Sequence, residues 1–348
     1  MNNFTHEADA PVLSVTRLTT EFRVKGQWHS AIRDLSLHVG RNETLAIVGE
    51  SGCGKSITAL SVMRLINPAQ GRIAGGQIRL DGQDLLALSE PQMEKVRGNA
   101  MAMIFQEPMT SLNPVMTIGS QIAESVRFHR RASREQARAR ALELLEWVRI
   151  PAAARRYDDY PHQFSGGMRQ RVMIAMALAC EPRLLLADEP TTALDVTIQV
   201  QILALLAELK ATRDMGMVFI THNLGVVASI ADRVAVMYGG RVIEQTDVQS
   251  LFDRPTHPYT EALLRSMPRV DRPRADLQPI PGQVPPITVE TPGCRYADRC
   301  PLAQPRCRQA VPPLAPVGGD VRHLARCWVR ADAVDADVDI DTRQEASA

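Results

Sequence analysis

Short apolar runs separated by polar, turn-rich stretches recur along the chain, and their lengths sort strands from helices. Residues 12–15 and 18–24 read as strands closed by a turn near Lys25-Gly26. Thr44-Leu45-Ala46-Ile47-Val48 is an unbroken run of strand length, and residues 57–65 then take up a helical pattern. Residues 75–82 predict a strand with turns on both sides, and residues 101–105 an apolar strand ending at Gln106. The periodicity is helical over 118–148 and again over 172–179, while 183–189 and 218–221 read as buried strands. Beyond Pro268 the composition shifts to Pro, Arg and turn residues with little periodicity. No internal repeat is evident.

Composition narrows the class. The 348 residues suffice for one large domain plus something smaller, and 45% hydrophobic with 23% charged residues is ordinary for a globular protein. A formal net charge of +1 gives no electrostatic sign of nucleic acid, so no nucleic-acid partner is expected. No apolar run approaches the roughly 20 residues of a membrane span. Residues 1–11 are polar and partly acidic, unlike a secretory signal. The chain is therefore expected to stay in the cytosol and to meet a membrane through a partner.

The strongest chemical signal is Gly49-Glu50-Ser51-Gly52-Cys53-Gly54-Lys55-Ser56, a full G-x-x-x-x-G-K-[ST] match between the strand at 44–48 and the helix that follows. Glycines let successive backbone N–H groups face inward as an anion nest at a helix N-terminus. Lys55 can then reach the β- and γ-phosphates of a nucleoside triphosphate, and Ser56 can place its hydroxyl on Mg²⁺. Adenine needs a flat apolar face; Phe22 and Trp28 are candidates, and Phe22 is preferred because it ends an apolar run.

Further along, Gln106 marks a change from strand to turn-rich loop, where an amide can touch Mg²⁺ or the attacking water. Arginines at 127, 130, 131, 134, 138 and 140 are interspersed with Glu135 and Glu143 and read as a solvated helical face. Ser165-Gly166-Gly167 forms a second nest at a helix start. One nucleotide does not need two such loops from one chain, so this one is expected to cap the nucleotide of another subunit. The strand at 183–189 delivers two adjacent carboxylates: Asp188, placed for Mg²⁺, and Glu189, placed to orient or deprotonate water.

In their order, the phosphate loop, Gln106, Ser165-Gly166-Gly167, Asp188-Glu189, Ala193-Leu194-Asp195 and His222 resemble the ATPase subunits of ABC transporters. More narrowly the chain resembles those of oligopeptide/dipeptide importers. That likeness is carried by Phe105-Gln106-Glu107-Pro108-Met109-Thr110-Ser111-Leu112-Asn113-Pro114, Phe164-Ser165-Gly166-Gly167-Met168-Arg169-Gln170-Arg171 and His257-Pro258-Tyr259-Thr260. It covers residues 12–328 or so; nickel and glutathione importers are close relatives of that branch.

The resemblance implies an α/β fold with a P-loop NTPase (ABC ATPase) core and an antiparallel β subdomain over 12–268. A helical subdomain would occupy about 107–180, a Cys-rich extension 269–330, and a disordered tail 331–348. It also implies that Phe22 stacks on adenine, Glu189 is the general base, and His222 contacts the γ-phosphate. Gln106 would sense the γ-phosphate, and Asp195 would communicate across a dimer. The implied partners are a second, paralogous ATPase subunit, two membrane permeases and an extracytoplasmic peptide-binding protein, at the cytoplasmic face of the inner membrane. Asn223 stands where Asp is common and Cys53 where Ser is frequent. A DNA-repair or translation ATPase would carry a long coiled-coil insertion or a second cassette, and neither is present.

Cys294, Cys300, Cys307 and Cys327 are spaced C-x5-C-x6-C-x19-C. Structural zinc prefers tighter pairs, and disulfides suit a reducing compartment badly. Iron–sulfur ligation tolerates looser loops, and Cys300-Pro301 matches the Cys-Pro step of bacterial clusters. Importer ATPases resembling this chain carry such an extension with an iron–sulfur cluster associated. A [4Fe–4S] cluster is the expectation, zinc and unligated thiols the alternatives. His323 is a candidate substitute ligand, with a surface position the plainer expectation.

Overall fold

The structure, a computed structural model, describes residues 10–107, 111–192, 194–267 and 279–330. The motif residues Pro108, Met109 and Thr110, Ala193, the composition change at Pro268 and the tail 331–348 lie outside the described residues. The chain forms two compact units. The first holds the described residues up to 14, 38–44 and 77–220; the second holds 15–37, 45–76 and those from 221 onward.

In the first unit, Leu184–Asp188 runs between two parallel neighbours, Met101–Ile104 and Gly216–Thr221. Every residue of the three strands is buried. That is why they read as unbroken apolar runs, since a parallel strand covered on both faces has no polar side to alternate. The helices Ile118–Arg130, Arg134–Trp147 and Gly166–Ala177 pack on one another in the same unit.

The helical pattern over 118–148 is divided in two. Arg131 turns left-handed (φ 51°), and Ser133 starts the second helix with a capping box. Its hydroxyl accepts from Gln136 N at 3.1 Å while Gln136 Oε1 accepts from Ser133 N at 2.9 Å. The arginine run does face solvent: Arg127, Arg130, Arg131, Arg134 and Arg138 are exposed. Arg140 pairs with Glu143 and Glu181 at 2.8 and 3.0 Å.

Over 15–37, in the second unit, the adjacent strands Leu13–Val24 and Gln27–Val39 are joined through Lys25 and Gly26, whose positive φ values (48° and 85°) suit a tight hairpin. The first strand continues through the gap expected between 15 and 18, with Arg17 left-handed at φ 48°. Thr44–Val48 pairs in parallel with Arg233–Tyr238, which turns back through Gly239 and Gly240 into Arg241–Asp247. Two strands of the cysteine-rich segment continue that sheet. Asp320–Ala325 pairs with Arg241–Asp247, and Ala315–Val317 lies outside it.

Three fully buried tyrosines centre this unit's core. Tyr238, Tyr259 and Tyr296 meet edge to face with centroids 4.7, 5.2 and 5.3 Å apart, packed among Val48, Val236 and Leu251. Each ring pair adds about 0.5–1.5 kcal/mol beyond area burial. Beside them, Glu244 is wholly buried and accepts from the backbone N–H groups of Thr256 and His257, both at 2.8 Å, and faces His323 Nε2 at 2.8 Å. Burial pushes its carboxyl up, but the hydrogen bonds with His323 and the two amides outweigh that and hold it below the ordinary range. His323 is therefore a buried partner of Glu244, and the surface position expected for it is corrected: its ring ties Asp320–Ala325 to Arg241–Asp247.

Candidate functional site

The second unit carries the phosphate loop. Thr44–Val48 is buried along its whole length, and the helix Lys55–Val62 opens directly after Gly54. Two glycines are dictated by space. A Cβ on Gly49 (φ 153°) would collide with the Met237 carbonyl oxygen, and one on Gly54 (φ 108°) would lie 2.7 Å from Ile32 Cδ1. Lys55 is buried, and its ammonium donates to the carbonyls of Gly49 and Glu50 at 2.8 and 3.2 Å. Cys53 is buried too, and burial pushes its thiol up, so it stays neutral and fills space against Gly49. Its carbonyl accepts from Gly240 N at 2.9 Å, anchoring the loop to the Gly239–Gly240 turn.

Glu50 is held from two further directions. Its N–H donates to the Tyr259 hydroxyl at 2.9 Å, and its carboxylate takes both Nη groups of Arg299 at 2.7 and 3.0 Å. Sequence reasoning missed both partners, because the contacts span 209 and 249 residues. Of the aromatic candidates, Phe22 is half-buried, close enough that a Cβ on Gly71 would meet its Cε1 at 3.0 Å. Trp28 has the Arg72 guanidinium 4.3 Å from its ring centroid. His222 is exposed just after Gly216–Thr221. Next to it Asn223 caps Leu224–Ile230, its Oδ1 accepting from Gly225 N and Val226 N at 2.9 and 3.4 Å, a role Asp fills equally well.

The first unit carries the carboxylates. Asp188 ends its strand buried, and Glu189 follows in a left-handed conformation (φ 46°) that costs a non-glycine residue about 1–3 kcal/mol. Glu189 N donates to Ile220 O at 2.9 Å, fixing the turn. The Glu189 carboxylate accepts from Gln106 Nε2 at 3.2 Å and from Thr192 Oγ1 at 2.9 Å. Gln106 and Glu189, singled out separately, are thus brought together; Thr192 was not singled out. The amide and the hydroxyl together fix the orientation of the Glu189 carboxylate.

Ser165 caps Gly166–Ala177, its hydroxyl accepting from Met168 N at 3.4 Å. Ser165 and Gly166 are exposed, so the helix N-terminus with its unpaired N–H groups faces solvent. A Cβ on Gly167 would press on Ile198 Cγ2 at 2.9 Å. Ile198 N donates to Asp195 Oδ1 at 2.9 Å, making Asp195 the cap of Val196–Arg213 and linking it through Ile198 to Gly167.

Cys294, Cys300, Cys307 and Cys327 line one small cavity with His257, Tyr296 and Trp328. Burial raises the thiols of Cys294 (to about 11), Cys300 and Cys327, and the other cysteines of the cavity add to it. All six cysteines are free. Four thiols on one cavity are the donor type that a metal or iron–sulfur centre takes. Among the described residues, however, no group of three or more His, Cys, Asp or Glu side chains is arranged to hold a metal ion. Nor, among them, is any helix long and apolar enough to cross a membrane.

Comparison with known proteins agrees with these features. Residues 32–192 match the ABC transporter family, and residues 243–307 match the oligopeptide/dipeptide transporter C-terminal region. A "Probable peptide ABC transporter ATP-binding protein" of Sinorhizobium fredii is 53% identical over 318 residues, 91% of this chain and 94% of the relative. A "Putative peptide import ATP-binding protein" of Brucella melitensis is 52% identical over 328 residues, covering 91% and 96%. Among solved structures, a dimeric ATP-binding cassette in a post-hydrolysis state with ADP and Pi superposes with a TM-score of 0.61 at 28% identity. That match covers 68% of this chain and 98% of the cassette.

Proposed function

The chain belongs to the ATP-binding subunits of the ABC transporter family, and on that premise we propose that it hydrolyses ATP to power peptide uptake. The observation that carries the reading is the joint presence of a complete phosphate loop and a carboxylate, Glu189, oriented by Gln106 and Thr192. The C-terminal match over 243–307 and the relatives' names support di- and oligopeptides as cargo.

In this mechanism Gly49, Ser51, Gly52, Cys53 and Gly54 offer backbone N–H groups to the triphosphate, Lys55 neutralises its β- and γ-oxygens, and Phe22 stacks on adenine. Ser56, Gln106 and Asp188 would hold Mg²⁺, and that ion would supply charge neutralisation on the phosphates. Glu189 takes the proton of the attacking water, and His222 reads the γ-phosphate. Ser165, Gly166 and Gly167 hold the nucleotide of a second ATPase subunit, a paralogue, and Asp195 transmits its state across the dimer. Two such subunits close around two ATP molecules because ATP touches both faces only when closed, and hydrolysis releases them. The assembly works on two membrane permeases fed by an extracytoplasmic peptide-binding protein, with this subunit peripheral at the cytoplasmic face. Cys294, Cys300, Cys307 and Cys327 would supply the four thiolates of a [4Fe–4S] cluster; iron and sulfide in anaerobically prepared protein check this, and their absence after reconstitution contradicts it.

The test of function is ATP-driven peptide accumulation in vesicles holding the permeases. Glu189→Gln should abolish transport while ATP remains bound. Undiminished transport by that variant contradicts the reading.

A further inference from the structure

Glu50 puts a carboxylate on a loop built to hold anions. A negative charge there opposes a triphosphate unless it is neutralised. The cation that meets it comes from the cysteine-rich segment. Arg299, with a side chain only 6% exposed, grips both Glu50 oxygens, at 2.7 and 3.0 Å. Its remaining donors are also engaged. Nη1 reaches the Tyr238 hydroxyl at 3.1 Å, and Nε reaches the Pro281 carbonyl at 2.7 Å. The planar fork suits this bidentate grip, which a lysine cannot reproduce.

The same loop residue touches the catalytic lysine. The Glu50 carbonyl accepts from Lys55 Nζ at 3.2 Å and from Cys53 N at 3.3 Å, while its N–H is fixed by Tyr259. Where Arg299 holds the Glu50 side chain therefore bears directly on where the carbonyl under Lys55 lies. A second ion pair, Arg33 with Glu290 at 3.2 Å, ties the same segment to Gln27–Val39.

We infer that Arg299 is a positioning residue for nucleotide binding, holding and neutralising Glu50 so that the phosphate loop presents a net attractive face to ATP. The inference rests on the phosphate-loop reading of residues 49–56. Arg299 immediately precedes Cys300, so the thiol cavity and the phosphate loop are joined through one residue.

The test measures the affinity of full-length protein for MgATP, using a fluorescent ATP analogue, and the KM and kcat of hydrolysis. Arg299→Ala is expected to weaken nucleotide binding about tenfold, with KM rising more than kcat falls. Adding Glu50→Gln should restore affinity to within about threefold of wild type, because the uncompensated charge is gone. A merely structural arginine gives no such rescue. Arg299→Lys, kept for the case that the alanine variant does not fold, should show a smaller loss that Glu50→Gln also relieves. Glu290→Gln should leave affinity unchanged. Arg299→Ala binding MgATP within twofold of wild type, or a double variant no better than the single, overturns the inference. Lys55→Ala separates the two readings: if it too leaves affinity intact, the phosphate-loop reading fails; if it alone abolishes binding, only the role of Arg299 fails.

Discussion

Gln106 and Glu189 lie 83 residues apart in sequence, yet the Gln106 amide donates to the Glu189 carboxylate at 3.2 Å. Parallel pairing of their two strands, with Ile104 opposite Ala187, brings the residues just beyond the strand ends side by side. Thr192 supplies a second donor at 2.9 Å. The carboxylate is therefore aimed from two sides, on a backbone whose left-handed turn is itself tied to Ile220.

Removing the proposed base should stop turnover while sparing binding. Glu189→Gln is expected to lower phosphate release about 10²–10⁴-fold. Thr192→Ala removes one orienting bond and should slow it by roughly fivefold, the equivalent of about 1 kcal/mol. Steady-state phosphate release checks both, and an unchanged rate in Glu189→Gln would remove that residue from the chemistry.

Asp195 has a structural duty that can be separated from its proposed signalling role. Asp195→Ala loses the cap to Ile198 N and should cost about 1 kcal/mol of stability. Asp195→Ser keeps a capping oxygen, so its stability should match wild type while its ATP hydrolysis falls. Full hydrolysis by a stable Asp195→Ser variant would leave capping as the residue's whole role.

The buried tyrosine trio predicts that the cysteine-rich segment contributes to stability. Tyr296→Ala should lose about 3–5 kcal/mol in denaturant unfolding. A loss under about 1 kcal/mol would show that Tyr296 adds little to this core.

Acid should destabilise the second unit before carboxylates titrate. Burial pushes His257 down to about 4 from its ordinary 6.5, so the folded chain keeps it neutral while the unfolded chain takes up a proton. Stability is then fully present above pH 6.5 or so and is lost as pH falls toward about 4, by roughly 3 kcal/mol in all. Glu244, held below its ordinary range, adds a loss of the same sign at still lower pH. His257→Asn should flatten the decline between pH 7 and 5, read from urea midpoints; parallel declines would contradict the assignment.

The phosphate loop was legible because its conformation is local. Glycines at tight positions, a buried strand before and a helix after are all contiguous in sequence. Gln106 and Glu189 were each legible at a strand end, though not their bond. The break before Ser133 was present as Ser-x-x-Gln but lay inside a stretch of good helix formers that continued the periodicity across it. Tyr259 stood out only within the motif at 257–260, and neither its contact with Glu50 nor that of Arg299 left a local sign, since a contact spanning more than 200 residues has no periodicity to read. His323 was misplaced for the same reason: the carboxylate that buries it is 79 residues away.

The most direct test of a nucleotide shared between two subunits is the mass, by light scattering, of the Glu189→Gln chain mixed with its cognate second ATPase subunit. The account predicts a two-subunit particle that forms with saturating MgATP and comes apart when nucleotide is withdrawn. Separate monomers throughout, with ATP demonstrably bound, would contradict it.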